Sequence, residues 1–267
     1  MKQYILFFDI DGTLFDCAHG LNHVSQKLKT ALCQLRNNGH LCFIASGRPY
    51  AYLNEEIRNL DFDGFVLCNG AIVLKDNKVL LSHYFDKKVI SKIVKDLNQM
   101  DAAYCLDDIY EGYCPKKFKG MYDMLESFEV PLEHIISDYD LESVNVAKIE
   151  VKTFDDQSTN YIRNLAKEGY ELLEYKGFNS FEINCPGVSK GKAILELLNM
   201  LNIPVENSIA FGDGENDIEM LQSVGCGIAM GNALPSVKEA ADRVTETCVE
   251  EGIVKELQRM SLIEEEI

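Results

Sequence analysis

Short runs of β-branched and aromatic residues alternate with helical patterns at both ends of the chain, which predicts a parallel sheet with crossover helices. Tyr4 to Phe8 is nearly all apolar, as a strand covered on both faces should be, and it runs into Asp9-Ile10-Asp11-Gly12-Thr13. Leu41 to Ala45 runs into Ser46-Gly47-Arg48-Pro49, with Pro placed to open a helix. Gly64 to Cys68 leads to Asn69-Gly70. Far along the chain, Ser208 to Phe211 meets Gly212-Asp213-Gly214-Glu215-Asn216-Asp217, ahead of the helical pattern Ile218, Met220, Leu221. Cys226 to Met230 ends at Gly231-Asn232. Parallel sheets bind ligands at strand C-termini, and these strands all end in polar groups.

From Tyr84 to Gly187 the pattern changes. Val89, Ile90, Ile93, Val94 and Leu97 mark one amphipathic helix and Tyr161, Ile162 and Leu165 another. Val146 to Val151, Tyr170 to Tyr175 and Ser180 to Asn184 read as strands, and no polar cluster ends them. The division is therefore a doubly wound, Rossmann-like α/β core from 1–83 and 188–267, with an inserted α+β cap domain at 84–187. The chain crosses near His83-Tyr84 and Cys185-Pro186-Gly187, and Glu264-Glu265-Glu266 reads as a solvated tail.

Composition narrows the partners. With 46% hydrophobic and 26% charged residues in 267, the chain buries a real core. Its net charge of −17 repels phosphate backbones and anionic lipid, so neither nucleic acid nor membrane is expected as a partner. A small anionic substrate binds only where a cation or backbone N–H groups reverse the local sign, which points toward a metal. Nine cysteines, odd in number and never spaced C-x-x-C, suit neither a disulfide framework nor a zinc ribbon. With no basic-then-apolar opening, the expected location is the cytoplasm.

Alternation along a strand puts Asp9 and Asp11 on one face, and two carboxylates that close repel. A divalent cation with oxygen ligands relieves the repulsion without protonating either acid. Asp213 ends another strand and completes the cage, with Asn216 and Asp217 at the following helix start. An all-oxygen donor set favours Mg²⁺ over zinc.

Competing motifs fail. The calcium loop breaks at 9–14, where Thr13 and Leu14 fill the third ligand and glycine positions, and at 213–218, where Ile218 replaces glycine. Asp61-Phe62-Asp63-Gly64 fits a simple turn. Gly187-Val188-Ser189-Lys190-Gly191 matches a nucleophile elbow, but no His lies downstream of it. Gly225-x-Gly227-x-x-x-Gly231 has the wrong spacing for dinucleotide binding, and Gly191-Lys192-Ala193 lacks the Ser/Thr of a P-loop.

Asp9, Asp11, Ser46, Lys190, Asp213 and Asp217 stand in an order that resembles the haloacid dehalogenase superfamily, phosphatase branch. Phe8-Asp9-Ile10-Asp11-Gly12-Thr13-Leu14 resembles its first motif, Ala45-Ser46-Gly47-Arg48 the second, Lys190 the third, and Gly212 to Asp217 the fourth. Gly187 to Gly191, Gly231-Asn232-Ala233 and the large insert resemble the Cof-like subfamily, whose mobile cap holds substrate choice. The resemblance implies a Mg²⁺-dependent phosphatase of small phosphorylated metabolites, with Asp9 as nucleophile through an aspartyl-phosphate and Asp11 as acid and base. It implies a metal held by Asp9, Asp11, Asp213 and Asp217, and phosphate held by Ser46, Gly47, Lys190 and Asn216. Arg48, Asn69 and Asn232 are further substrate candidates, although a surface ion pair, a turn and a helix cap explain them equally well. A phosphosugar mutase or phosphotransferase on the same site, and a non-catalytic relative, are the alternatives.

Overall fold

The computed structural model describes residues 2–16, 19–175 and 177–264; Cys17 and the Glu265-Glu266 part of the acidic ending lie outside them. The described chain forms two units, one of Met1–Gly47, Glu55–Leu80 and Ser189–Ile267, the other of Arg48–Asn54 and Leu81–Val188.

The first unit is built on a sheet whose strands lie in the order Arg243–Val244, Cys226–Ala229, Ser208–Gly212, Ile5–Phe8, Leu41–Ala45, Gly64–Leu67, Ile72–Lys75, Lys78–Ser82. The first six are parallel, and Ile72–Lys75 runs antiparallel to Gly64–Leu67. Ile5–Phe8 and Ser208–Gly212 are buried along their whole length, which is why they read as unbroken apolar runs. Strand order reverses at Ile5–Phe8, the point where a doubly wound sheet leaves a crevice beyond its strand ends. Two helices show how local sequence sets the crossovers. Gln26–Asn37 starts at Ser25, whose hydroxyl accepts from Leu28 N–H, and buries Leu28, Ala31, Leu32 and Leu35. Lys190–Met200 starts at Ser189, which accepts from Lys192 N–H, and buries Ala193, Ile194, Leu197 and Leu198.

The last two strands of this sheet have no counterpart in the sequence reading. They are short, and the turn between them is Asp76-Asn77, both at positive φ (50° and 58°), which matches the twist of a tight hairpin.

In the second unit the strand order is Glu171–Tyr175, Ser180–Asn184, Lys148–Thr153, Ala102–Asp107, Gly112–Tyr113, Ile135–Ile136. All neighbours are antiparallel except the last pair. Helices Lys87–Leu97 and Asp156–Leu165 follow the predicted amphipathic pattern, capped by Asp86 and Asp155. The central strand Ala102–Asp107 is buried at every position. The polar residues of this sheet gather within its strands. Asp107 lies opposite Lys148 in register, and Glu150 and Glu182 reach the same ammonium at 2.9 and 3.0 Å.

Residues 48–54, which the sequence division placed in the core, pack with this second unit. Ala51 N–H donates to Ile109 C=O at 3.0 Å, and Ala51 and Tyr52 bury among Ala103, Cys105, Cys114, Met121 and Leu125. Among the described residues no helix is long and apolar enough to cross a membrane.

Candidate active site

Ile5–Phe8 lies between Leu41–Ala45 and Ser208–Gly212, with Phe8 opposite both Ile44 and Phe211. Asp9, Ser46 and Asp213 each follow directly on one of these strands, so all three leave the same edge of the sheet. Asp9 N–H still donates to Phe211 C=O at 3.0 Å, which holds the carboxylate at the strand end.

One carboxylate oxygen each from Asp9, Asp213 and Asp217 lies within 4.8 Å of the others. Lys190, the first residue of its helix and 1% exposed, sends its ammonium among them, with Nζ 2.7 Å from Asp9 Oδ1 and 2.7 Å from Asp217 Oδ1. Burial by itself would lower the Lys190 pKa, but the Asp217 and Asp9 charges outweigh it and hold the ammonium above its ordinary range. Burial, then the charge of Asp217, raises Asp9 well above an ordinary carboxylate despite Lys190. Burial and Asp217 likewise push Asp213 up to about 7. Three carboxylates around one ammonium leave negative charge uncompensated, and every donor is oxygen. The residues fit a hard divalent cation such as Mg²⁺.

The surrounding bonds fix this geometry. Asp217 Oδ2 accepts from the N–H groups of Asp213 and Gly214, both at 3.0 Å, so both its oxygens are engaged, one by Lys190 and one by the turn. Thr13 Oγ1 donates to Asp213 Oδ1 at 3.3 Å. Asn232 Nδ2 donates to Gly12 C=O at 2.8 Å and to Asp213 Oδ2 at 3.5 Å, while its Oδ1 accepts from Cys248 N–H at 2.9 Å. Gly12 sits at φ +84°, and a Cβ there would stand 2.1 Å from Asp213 Oδ2, so only glycine lets the two loops meet.

Asp11 stands apart from these three. Its side chain is exposed, and its carboxylate is not among the three that converge. The strand ends at Phe8 and the chain turns, with the N–H groups of Thr13 and Leu14 donating to Ile10 C=O, so alternation no longer carries Asp9 and Asp11 to one face. Asp11 acts at a distance, its charge contributing to the raised pKa of Asp213.

A second group gathers around Ser46, which is buried and whose N–H donates to Val66 C=O at 2.8 Å. Its carbonyl accepts from Asn69 N–H at 3.1 Å, and Asn69 Oδ1 accepts from Asn216 Nδ2 at 3.0 Å. Asn69 Oδ1 also lies 3.0 Å from where a Cβ of residue 47 would stand, close against Gly47. Ser46, Gly47, Asn69 and Asn216 are thus joined. Arg48 belongs to the second unit, where Nη1 donates to the carbonyls of Tyr52 and Phe128, both at 3.3 Å. Asp107, also in the second unit, is wholly buried. Thr13 escaped the sequence reading as a site residue, although it stands inside the first motif; its partner Asp213 is 200 positions away.

A family model described as haloacid dehalogenase-like hydrolase matches residues 6–257. The Bacillus subtilis protein YkrA is 28% identical, over 98% of this chain and 100% of its own. The 5-amino-6-(5-phospho-D-ribitylamino)uracil phosphatase YitU of the same organism is 25% identical over 96% of this chain and 97% of its own. Among solved structures, the subclass IIB sugar phosphatase BT4131 superposes with a TM-score of 0.81 at 26% identity, covering 97% of this chain and 100% of that one.

Proposed function

Because this chain belongs to the haloacid dehalogenase-like hydrolases and is a phosphatase, we propose that it hydrolyses small phosphate monoesters with Mg²⁺ through an aspartyl-phosphate on Asp9. The observation that carries this reading is the Lys190 ammonium held 2.7 Å from both Asp9 and Asp217 beside Asp213. It is the arrangement a carboxylate nucleophile needs to approach an anion.

Asp9 attacks phosphorus through a carboxylate oxygen, and the ester oxygen departs. Lys190 holds Asp9 in place and counters the charge that spreads over the phosphoryl oxygens. The Ser46 hydroxyl, Gly47 N–H and Asn216 amide hold those oxygens, with Asn69 fixing the Asn216 side chain. Asp11 protonates the leaving alkoxide and then takes the proton of the water that cleaves the aspartyl-phosphate, for about 10² to 10⁴ in rate. Asp9, Asp213 and Asp217 would hold a divalent cation such as Mg²⁺, which would supply the charge neutralisation that lets two anions meet. Asn232, with its amide bonded to Gly12, Asp213 and Cys248, positions the loop.

The named activities of YitU and BT4131 favour a phosphorylated sugar or polyol as substrate. The free thiols of the described cysteines suit a reducing compartment, and we place the enzyme in the cytoplasm. The test is hydrolysis of p-nitrophenyl phosphate. Release of inorganic phosphate that requires Mg²⁺ and vanishes in Asp9→Asn supports the reading. Phosphate release that survives in Asp9→Asn refutes it, and phosphosugar isomerisation without release would assign a mutase instead.

A further inference from the structure

The loop between Arg243–Val244 and Gly252–Arg259 supplies no group to the proposed chemistry, yet one of its residues touches the acidic site's supports twice. Cys248 is 6% exposed, and its thiol donates to Thr13 C=O at 3.1 Å. Its backbone N–H donates to Asn232 Oδ1 at 2.9 Å. Thr13 and Asn232 in turn hold the two oxygens of the Asp213 carboxylate. Thr13 Oγ1 donates to Oδ1 at 3.3 Å, and Asn232 Nδ2 donates to Oδ2 at 3.5 Å. Both donors therefore lean on one residue, 235 positions from Thr13. Thr13, Asp213, Asn232 and Cys248 all lie in the first unit.

The loop is itself anchored, as a support must be. Gly231 N–H donates to Glu246 C=O at 3.0 Å, and the Thr245 hydroxyl donates to Gly252 C=O at 2.7 Å. Thr247 Oγ1 donates to Glu250 Oε2 at 2.7 Å, and Cys248 C=O accepts from Glu251 N–H at 3.1 Å. Burial, then the charges of Asp16 and Asp213, pushes the Cys248 thiol up to about 12, so it stays a protonated donor near neutral pH. Thr13 is 1% exposed, so a carbonyl that loses this donor has little water to turn to. Groups that stand behind a metal-binding carboxylate set its direction and basicity before the cation arrives.

We propose that Cys248 is a positioning residue for Asp213: its thiol fixes Thr13 and its amide fixes Asn232, and through them it aims the carboxylate that holds the divalent cation. The inference rests on the phosphatase reading, in which Asp213 is one of the acids around that cation. The thiol touches neither nucleophile nor phosphoryl group, so its loss is read in metal affinity rather than in kcat at saturating metal.

The experiment is calorimetric titration with Mg²⁺ alone of the full chain and its Cys248→Ala, Cys248→Ser, Thr13→Val and double Thr13→Val, Cys248→Ala variants, each checked by thermal melting. The same proteins are then assayed on p-nitrophenyl phosphate over a range of Mg²⁺ concentrations. Cys248→Ala should weaken Mg²⁺ binding about tenfold, the lower end for removing a group behind a metal ligand, with kcat at saturating Mg²⁺ within about twofold. Thr13→Val removes the donor to Asp213 itself and should weaken binding at least as much. Cys248→Ser keeps an O–H donor and should recover most of the native affinity. The double variant should be no worse than Thr13→Val alone, because the thiol acts only through Thr13. Native affinity in Cys248→Ala, no recovery in Cys248→Ser, or penalties that add in the double variant overturns the proposal. If Cys248→Ala proves too unstable to titrate, Cys248→Val, which fills the space of the thiol without a donor, takes its place under the same criteria. A native chain that binds Mg²⁺ and leaves the ester intact refutes the phosphatase reading, while the affinities still decide the role of Cys248.

Discussion

A single ammonium stands between two buried carboxylates at the strand edge, and removing it leaves Asp9 and Asp217 facing each other uncompensated. Lys190→Met should cost about 10² to 10³ in kcat, the scale of losing one preorganised charge at a reacting phosphoryl group, measured on the chromogenic ester. It should also destabilise the metal-free protein by about 3–5 kcal/mol in denaturant titration, because breaking a buried pair strands its partners. Asp107 carries a pH prediction. Burial, then the charge of Glu150, pushes its carboxyl up to about 8, whereas the unfolded chain titrates near 3.8. Between those values the folded state holds a proton that the unfolded state lacks, so this group's stabilisation is complete at low pH and lost as pH rises toward 8. Thermal melts from pH 5 to pH 8 should show Asp107→Asn gaining on the native protein as pH rises; a difference independent of pH would contradict the assignment. At this scale the sequence was partly legible. Asp9 and Asp213 could be read because each ends an apolar strand, and their chemistry needs no knowledge of distant residues. Lys190 could be placed only through the motif order, and Tyr52 not at all, because its hydrogen bond is to Asp107, 55 positions away.

The turns after the strands depend on one backbone freedom more than on any side chain. Gly12→Ala forces a positive φ on a residue with a Cβ and drives that Cβ into Asp213, so it should cost about 1–3 kcal/mol from the backbone alone. A lowered melting temperature and a lowered kcat/KM together check this, since the Asp213 carboxylate must move; native values for both would show that the loops meet differently. Long apolar strands and capped amphipathic helices were legible because their burial is uniform or periodic. The hairpin Ile72–Lys75 and Lys78–Ser82 was not, because the second strand exposes most of its residues and carries no apolar run. Ala102–Asp107 was missed for a different reason. Its small and mixed residues, Ala-Ala-Tyr-Cys-Leu-Asp, show neither alternation nor a helical period although every one is buried.

Across the whole molecule the net charge of −17 opposes every anionic substrate, and the site works as a local exception to that field. Raising ionic strength from about 0.01 M to about 0.15 M shortens the Debye length from about 30 Å to about 8 Å, so KM for a phosphate ester should fall. A KM that rises with salt would mean that local attraction, not global repulsion, governs encounter. The division into two units was legible from the change of pattern near residue 84, but the return of 48–54 to the second unit was not, since nothing in Tyr50-Ala51-Tyr52 distinguishes a core turn from a tie. The central claim is that Asp9 is the nucleophile beside a cation-binding acidic group. Its most direct measurement is acid-quenched turnover of a phosphate ester followed by peptide mass spectrometry. The account predicts a phosphoryl group on Asp9, formed with Mg²⁺ and absent both without it and in Asp9→Asn; a phosphoryl group found on another residue, or full turnover by Asp9→Asn, would contradict it.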